Sequence, residues 1–150
     1  MENIKVLNAN IKHKDFIIYA NKVINNVNNE IHTEGLENNI DKDYFCDNPK
    51  FKCLIAELDD KPVGMILYSY FYWANDGEVL WISQMFVEKE YRKYGVFFRL
   101  INKLREENPN IRVVSCATGN ENKRMQKILE FYDVHEINLK FYYKKVKNDN

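Results

Sequence analysis

Hydrophobic positions along this chain of 150 residues follow a strand period first and a helix period next. Apolar and polar side chains alternate over residues 4–11, which predicts an opening strand. Apolar side chains then recur every three or four residues over 16–27, which predicts a helix. A second short helix is predicted within the polar, Asn- and Glu-rich stretch 25–49. The chain therefore opens with one strand followed by helical material.

The centre of the chain predicts an antiparallel meander. Residues 51–58, 63–73 and 78–87 are rich in β-branched and aromatic side chains. Polar turns separate them at 59–62 and 74–77, and both are short enough to join neighbouring antiparallel strands. We therefore predict three consecutive strands connected by hairpins.

The last third of the chain alternates between helix and strand. Apolar residues after Gly95 fall on one helical face, and Asn108-Pro109 ends that helix. A buried strand over 111–117, a helix over 121–131 and a final strand over 137–146 are predicted next. This order predicts a mixed α/β fold in which one mostly antiparallel sheet is flanked by helices.

Composition excludes several classes of function. Lys plus Arg and Asp plus Glu each number 22, so the formal net charge is zero and no global field draws the chain to nucleic acid or to an anionic membrane. The three cysteines lack disulfide or metal-ligand spacing, and neither a signal peptide nor a membrane span is visible. We expect a single domain, residues 1–150, that is cytoplasmic and binds no metal, nucleic acid or membrane. The sequence leaves a homodimer open.

The junction between the strand 78–87 and the following helix carries the strongest functional signal. The first four N–H groups of a helix lack an intrahelical partner and, together with the helix dipole, attract phosphate oxygens. Gly95 permits a positive φ at this point, while Arg92 and Lys93 add local positive charge. These features by themselves suit both a phosphate site and an ordinary tight turn.

The same junction resembles the acetyl-CoA signature of the GNAT superfamily of N-acyltransferases. That signature is Arg or Gln, two residues, Gly, one residue, then Gly or Ala. Within the run 84–100, Arg92 and Gly95 match it, and Phe97 occupies the last position.

A second motif is similar to the helix that follows in the same family. The run 121–130 resembles the family pattern Glu-Asn-x-Arg-Met-x-x-Leu-x-Glu, and it is followed by Phe131-Tyr132-Asp133-Val134 where Lys-x-Gly-Phe is usual. The hairpin limb 61–65 also resembles the family's third strand. The resemblance covers roughly residues 51–146.

The resemblance implies a cleft for acetyl-CoA. The strand 81–87 would splay from the strand 111–117, and the pantetheine arm would insert between them. Backbone groups of Met85 and Val87 would pair with the pantetheine amides, and the Met85 N–H would polarise the thioester carbonyl. Asn122 would bind pantetheine or a water, with helix capping as the alternative. The implied cofactor-binding residues are Met85, Phe86, Val87, Arg92, Lys93, Tyr94, Gly95, Val96, Phe97 and Asn122.

The catalytic groups depart from the family pattern. The family often places its general base where this chain carries Ser83 and Gln84, and neither residue is a base at neutral pH. Glu78, or Asp76 in the turn before it, acting through an ordered water is the candidate base, with a solvated hairpin charge as the alternative. Leu129 occupies the position of the usual acidic Tyr, and Tyr132 lies three residues later on the same helical face. Tyr132 is the candidate acid, with packing at a helix end as the alternative.

We therefore expect an acetyl-CoA-dependent N-acetyltransferase in which an amine of a small molecule or peptide attacks the thioester directly within a ternary complex. The alternative is a non-catalytic acyl-CoA-binding or interaction module with the same fold. The sequence chooses neither the acceptor amine nor the length of the acyl group.

Overall fold

A single five-stranded sheet organises the computed structural model, which describes residues 3–27 and 35–137. The strands, in both chain and spatial order, are β1 (Ile4–Asn8), β2 (Lys52–Leu58), β3 (Lys61–Trp73), β4 (Gly77–Val87) and β5 (Val113–Cys116). Each neighbouring pair among the first four is antiparallel, and β5 is parallel to β4. The predicted mixed α/β fold with a mostly antiparallel sheet is therefore confirmed.

Helices cover both faces of this sheet. The helices in the described ranges are α1 (Lys14–Val27), α2 (Leu36–Asp43), α3 (Val96–Glu107) and α4 (Lys123–Phe131), and the first three pack on the sheet. One face packs Leu54, Ile66, Tyr68 and Leu80 against Leu100 and Leu104 of α3. The other packs Ile55, Met65, Leu67 and Phe86 against Ile17 and Ala20 of α1 and Ile40 of α2. Strands buried on two faces are apolar at nearly every position, which explains why the central strands lack a clean alternation. None of the helices within the described ranges is long and apolar enough to cross a membrane.

The first strand and first hairpin are bounded by side-chain and turn chemistry that the apolar pattern did not predict. β1 ends at Asn8 instead of residue 11, because the Asn10 side chain accepts a hydrogen bond from the Lys12 N–H (3.1 Å) and starts a short 3-10 turn. The predicted turn 59–62 is only the pair Asp59-Asp60, whose φ values of 49° and 62° are typical of a two-residue hairpin. β3 therefore begins two residues earlier than predicted.

The end of the sheet also differs from the prediction. The strand predicted at 111–117 is limited to β5, and it is not buried, since Val114 is 51% exposed. Within the described part of the chain β5 pairs only with β4, so one of its edges has no strand beside it. Ile137 is not in a strand, and the rest of the predicted strand 137–146 lies outside the described residues.

Gly64 brings α3 close to the sheet. A Cβ at this position would lie 2.9 Å from Val96 Cγ1 and 3.1 Å from the Phe86 carbonyl oxygen. Both neighbours belong to elements that border the strand-to-helix junction. The absence of a side chain at Gly64 therefore sets the distance between β3 and the first turn of α3.

We expect Gly64→Ala to lower the free energy of unfolding by about 1–3 kcal/mol, the usual range for adding atoms to a close-packed interior. Urea denaturation measures the change. Ser69→Ala on the same strand, where the side chain is half-buried, is the matched control. Equal stability of Gly64→Ala and the parent protein would contradict the close approach of α3.

Candidate active site

β4 and β5 run together briefly and then diverge. Their parallel pairing ends where Ile82 lies beside Cys116, whereas β4 continues to Val87. A β-bulge places one extra residue, Ser83, in β4 at the same point. The predicted splay is therefore present, but it begins after Ile82 and not at Trp81. Beyond this point one edge of β4 is not paired with β5.

The open edge of β4 presents backbone hydrogen-bonding groups. The Glu88 N–H donates to the Val63 carbonyl (2.9 Å), so residue 88 faces β3. Because backbone groups alternate direction along a strand, Val87 and Met85 face away from β3. The Arg92 Nε confirms this direction, since it donates to the Val87 carbonyl from the open side (2.9 Å). The Met85 N–H and C=O and the Val87 N–H thus point toward the opening between β4 and β5.

The junction after β4 ends in an uncapped helix start. Gly95 adopts φ 73° and ψ 15°, and it precedes the first residue of α3 without a side-chain cap. The first intrahelical bond runs from the Arg99 N–H to the Gly95 carbonyl (3.2 Å), so the N–H groups of Val96, Phe97 and Phe98 have no intrahelical partner. A Cβ added to Gly95 would meet no atom within 4 Å. The space above these donors is therefore open to a phosphate group.

A cavity of about 730 Å³ lies over this junction and is strongly cationic. Its walls come from α1, β4, the loop after β4, the start of α3, and α4. The basic side chains that line it are Arg92, Lys93, Arg124 and Lys127, and no Asp or Glu lines it. Partial burial, together with the nearby positive charge of Arg124, lowers the pKa of Arg92. The donors and charges present fit the pyrophosphate of acetyl-CoA.

A second cavity, of about 340 Å³, continues between the diverging strands. It is lined by β4 residues from Ile82 to Met85, by Val114 and Cys116 of β5, and by α3 and α4. Met85, Phe97 and Tyr132 line both cavities, so the two spaces adjoin. Its mainly apolar walls suit the pantetheine arm and the acyl group better than a charged ligand.

Tyr132 lies where the two cavities meet. Its ring packs against Phe97 (centroids 5.6 Å apart) and Phe98 (5.9 Å). Its hydroxyl oxygen is buried and has no hydrogen-bond partner among the described residues. Burial raises the pKa of this phenol, so it keeps its proton at neutral pH. A packed ring explains the position of Tyr132, whereas an unpartnered hydroxyl is what a proton donor to a bound ligand requires.

Asn122 caps α4, and it also lies beside the site. Its side-chain oxygen accepts a hydrogen bond from the Met125 N–H (3.2 Å), which caps α4. The residue also lines both cavities. The cap fixes the start of α4 beside the opening and leaves the side-chain NH₂ group available to a ligand.

Three of the predicted cofactor residues have side chains that lie mostly outside the cleft. Phe86 lines the larger cavity, but its side chain is 6% exposed and belongs to the core between the sheet and α1, where it meets Phe16 edge to face (6.0 Å). The Val96 side chain is fully buried. The Tyr94 side chain is exposed and lines neither cavity, and Lys93 lies over its ring (5.5 Å). Their side chains are therefore poor targets for a test of ligand binding.

Glu78 is not brought to the cleft. It is exposed and lines neither cavity. It precedes the point of divergence at Ile82 by four residues, roughly 14 Å of extended strand. By strand alternation it also shares a face with Leu80 and Ile82, which pack toward α3. A single bridging water spans only the length of two hydrogen bonds, which is much less than the distance from Glu78 to this site.

The structure also adds residues that the sequence argument did not single out for the site. Arg124, Lys127 and Phe131 line the larger cavity from α4, and Phe98 lines it from α3. The α4 residues recur at intervals of three and four, which places them along one helical face. The sequence shows this spacing. Only the position of α4 beside the opening shows that this helical face lines a cavity. Within the described ranges, no cluster of His, Cys, Asp and Glu could hold a metal ion.

The end of α4 keeps its backbone geometry despite its departure from the family motif. Asp133, at the position where Gly is usual, adopts φ 59°. The Val134 N–H donates to the Leu129 carbonyl (2.9 Å), which closes the helix in the manner of a Gly-terminated end. Asp tolerates this left-handed conformation better than most residues, so the substitution leaves Tyr132 in place.

The geometry agrees with comparisons to known proteins. The profile of the Acetyltransferase (GNAT) family matches residues 22–132. Spermidine/spermine N(1)-acetyltransferase-like protein 1 of Homo sapiens is 36% identical over 70 residues, which make up 42% of this chain and 10% of that protein. Thialysine N-epsilon-acetyltransferase of Sus scrofa is 33% identical over 72 residues, 43% of this chain and 42% of that protein. The chain thus matches less than half the length of either relative.

Solved structures share the fold over nearly the whole chain. A possible acetyltransferase from Clostridium difficile 630 superposes with a TM-score of 0.76 at 24% identity, covering 97% of this chain and 99% of that one. An aminoglycoside N-acetyltransferase in complex with CoA gives a TM-score of 0.73 at 18% identity, covering 97% and 96%. With the family profile spanning most of the chain and the cleft in the place that its motifs imply, this protein belongs to the GNAT family of acetyltransferases.

Proposed function

We propose that the chain transfers an acetyl group from acetyl-CoA to an amine of a small molecule or peptide, by direct attack within a ternary complex. The observation that carries the proposal is the open edge of β4 leading into the uncapped start of α3, inside a cavity lined by basic and no acidic side chains. In this arrangement the thioester end of acetyl-CoA would lie along the open edge of β4, and its phosphates would bind the N–H groups at the start of α3. All three cysteines are free, as expected for a protein in a reducing compartment, so the cytoplasm remains our proposed location.

The reaction needs few side chains. The amine nitrogen attacks the thioester carbonyl carbon, the C–S bond breaks, the amine loses one proton and the departing CoA sulfur gains one. The Met85 N–H faces the opening and is positioned to stabilise the negative charge that develops on the carbonyl oxygen. The Tyr132 hydroxyl is the proposed proton donor to the sulfur. Holding both substrates together supplies much of the acceleration.

Gln84 is the side chain best placed to meet the acceptor. It follows the bulge residue Ser83, lines the smaller cavity, and has a buried Oε1 without a hydrogen-bond partner in the described ranges. An amide oxygen accepts a hydrogen bond from an amine N–H and does not take its proton. Relatives named for spermidine or spermine, thialysine and aminoglycosides suggest a small molecule with primary amines as the acceptor. Gln84 would orient such an amine toward the thioester.

One observation favours a second candidate, a non-catalytic acyl-CoA-binding module. Neither cavity is lined by Asp, Glu or His, so no described side chain next to the cleft is a base at neutral pH. In the enzyme, the ammonium form of the acceptor would instead lose one proton to solvent before attack, and the nitrogen would lose a second proton as the amide forms. The rate would then rise with pH toward the pKa of the free amine. In the module, acetyl-CoA would bind without turnover.

Release of free CoA thiol distinguishes the two candidates. The chain is incubated with acetyl-CoA and a panel comprising a polyamine, a lysine analogue and an aminoglycoside. Thiol release with at least one amine, matched by a product heavier by one acetyl group, is expected. Binding of acetyl-CoA without release on every acceptor would favour the module, and failure of binding would overturn both candidates.

A further inference from the structure

Three aromatic side chains near the β3–β4 turn pack on one another and belong to neither core. The rings of Phe71 and Trp73 meet edge to face with centroids 5.3 Å apart, and those of Phe71 and Trp81 with centroids 6.2 Å apart. Among the described residues, the cores against α3 and α1 include none of the three. Phe71 and Trp81 are half-buried, and Trp73 is 40% exposed. The three residues form a separate surface, called here the aromatic cluster.

The aromatic cluster lies on the same face of the sheet as Gln84. Leu67 pairs with Gln84 across β3 and β4, and Leu67 packs toward α1. Because directly paired residues share a face, Gln84 also faces α1. Ser69 follows Leu67 by two residues and pairs with Trp81, so Trp81 lies on this face too. Along β3 the three rings therefore follow Gln84 at backbone distances of roughly 7, 14 and 20 Å.

The hairpin that carries the aromatic cluster has only negative charges. Residues 62–87 contain no Lys, Arg or His, whereas Asp76 and Glu78 lie at the turn between β3 and β4. The Asp76 N–H donates to the Trp73 carbonyl (3.1 Å), which holds this acidic residue at the end of β3. Aromatic ring faces attract cations, and negative charge within a Debye length adds to the attraction. This surface therefore suits an organic cation, unlike the cavity over α3, whose charged lining side chains are all basic.

We propose that Phe71, Trp73 and Trp81 form a subsite for a second, non-reacting cation of the acceptor. The reacting amine lies at Gln84, and a second ammonium group roughly 7–14 Å away lies over the rings of Trp81 and Phe71. The inference rests on the proposed acetyl transfer and narrows the acceptor to a diamine or polyamine long enough to reach the aromatic cluster. A monoamine of the same length would reach Gln84 but place no cation on the rings.

Tryptophan fluorescence tests cation binding without any turnover. Both tryptophans of the chain belong to the aromatic cluster, so their emission reports on this surface alone. The probe is decamethonium, a ten-carbon chain with a quaternary ammonium group at each end, which cannot be acetylated. We expect a saturable change in emission with decamethonium and none with the neutral ten-carbon diol. Equal responses to the two compounds, or no saturable change at millimolar decamethonium, would overturn the subsite.

Kinetics with acetyl-CoA test whether the cluster acts on the acceptor. The kcat/KM for 1,8-diaminooctane should exceed that for octylamine roughly tenfold or more, beyond the about twofold advantage of having two amines. Trp81→Leu should bring this ratio down to about twofold, and Trp73→Leu should lower it by a smaller factor. Leu retains an apolar side chain, so octylamine should still be acetylated at nearly the parent's rate. Because Trp73 is largely exposed, its variant should unfold at the parent's temperature.

Tyr72→Leu is the matched control. Tyr72 is 74% exposed and lies between Phe71 and Trp73 in β3, so it points to the opposite face of the sheet. Its variant should keep the parent's preference for the diamine. A parent ratio of about twofold or less, or equal losses in Tyr72→Leu and Trp81→Leu, would overturn the subsite. Absence of turnover with both amines alongside a positive fluorescence titration would instead overturn the proposed acetyl transfer and leave a cation-binding surface.

Discussion

Gly95→Glu should weaken acetyl-CoA binding by roughly 100-fold or more, the scale expected when several charge-assisted hydrogen bonds to phosphate are lost. The new side chain would enter the open space beside the free N–H groups of Val96, Phe97 and Phe98 and place a carboxylate where we expect phosphate. It would also strain the backbone, because Gly95 has φ 73°. Calorimetry with acetyl-CoA measures the loss.

Gly77→Glu provides the matched control for this variant. Gly77 also has a positive φ of 81°, and a Cβ there would likewise meet no atom within 4 Å. The substitution therefore carries the same backbone strain and adds the same charge, but at the β3–β4 turn, outside both cavities. Full acetyl-CoA binding by the Gly77 variant is expected. Equal losses in the two variants would mean that strain or net charge, and not a phosphate site, explains the effect.

Tyr132→Phe should lower kcat by about 100-fold while leaving the KM for acetyl-CoA nearly unchanged, since a proton donor acts in the chemical step. The hydroxyl has no partner in the described protein, so its removal breaks no hydrogen bond seen there and retains the packing of the ring on Phe97 and Phe98. The raised pKa of the phenol keeps the proton in place across the neutral range. Steady-state thiol release with a productive amine measures both constants.

Tyr94→Phe is the control for the acid role, because Tyr94 is exposed and lines neither cavity. Its kcat and KM should equal those of the parent protein. A kcat for Tyr132→Phe that also equals the parent's would reduce Tyr132 to a packing residue. A change in thermal stability would show that the hydroxyl has a structural role.

The fold was largely predictable because its signals are local. The apolar periods of β2, β3, β4 and α3 arise from burial against a sheet with two covered faces, and this burial is repeated along each element. The boundaries were less predictable, because they depend on single polar groups. The Asn10 side chain ends the first strand, and two Asp residues in left-handed conformations shorten the first hairpin. A hydrophobic pattern contains no information about either event.

The geometry of the proposed phosphate site was predictable for a similar reason. A strand, a Gly and an amphipathic helix are contiguous in the chain, and the unpaired N–H groups follow from helix geometry. The positions of Arg124, Lys127 and the Tyr132 hydroxyl at the cavities depend on how α4 lies against the opening between β4 and β5. This position depends on tertiary contacts. The spacing along α4 could therefore indicate that these residues share one helical face, but not that this face borders a cavity.

Glu78 illustrates the opposite case, in which a chemically suitable residue lies in the wrong place. The bulge at Ser83 shifts the alternation of β4 by one residue. As a result, the side chains after the bulge lie on the opposite face of the sheet from the one they would occupy in an unbroken strand. The sequence shows the acidic residue, but it shows neither the bulge nor the residue at which β4 leaves β5. These two features decide which β4 side chains lie next to the open strand edge.

A crystal structure of the protein with CoA would show whether the open edge of β4 and the start of α3 bind the acyl donor. We expect pyrophosphate oxygens within about 2.7–3.2 Å of backbone nitrogens in the first turn of α3. We also expect the pantetheine arm to pair with Met85 and Val87 along the open edge of β4, with its sulfur near Tyr132. CoA bound elsewhere on the protein, or bound with its phosphates away from Gly95 and the start of α3, would contradict this binding mode.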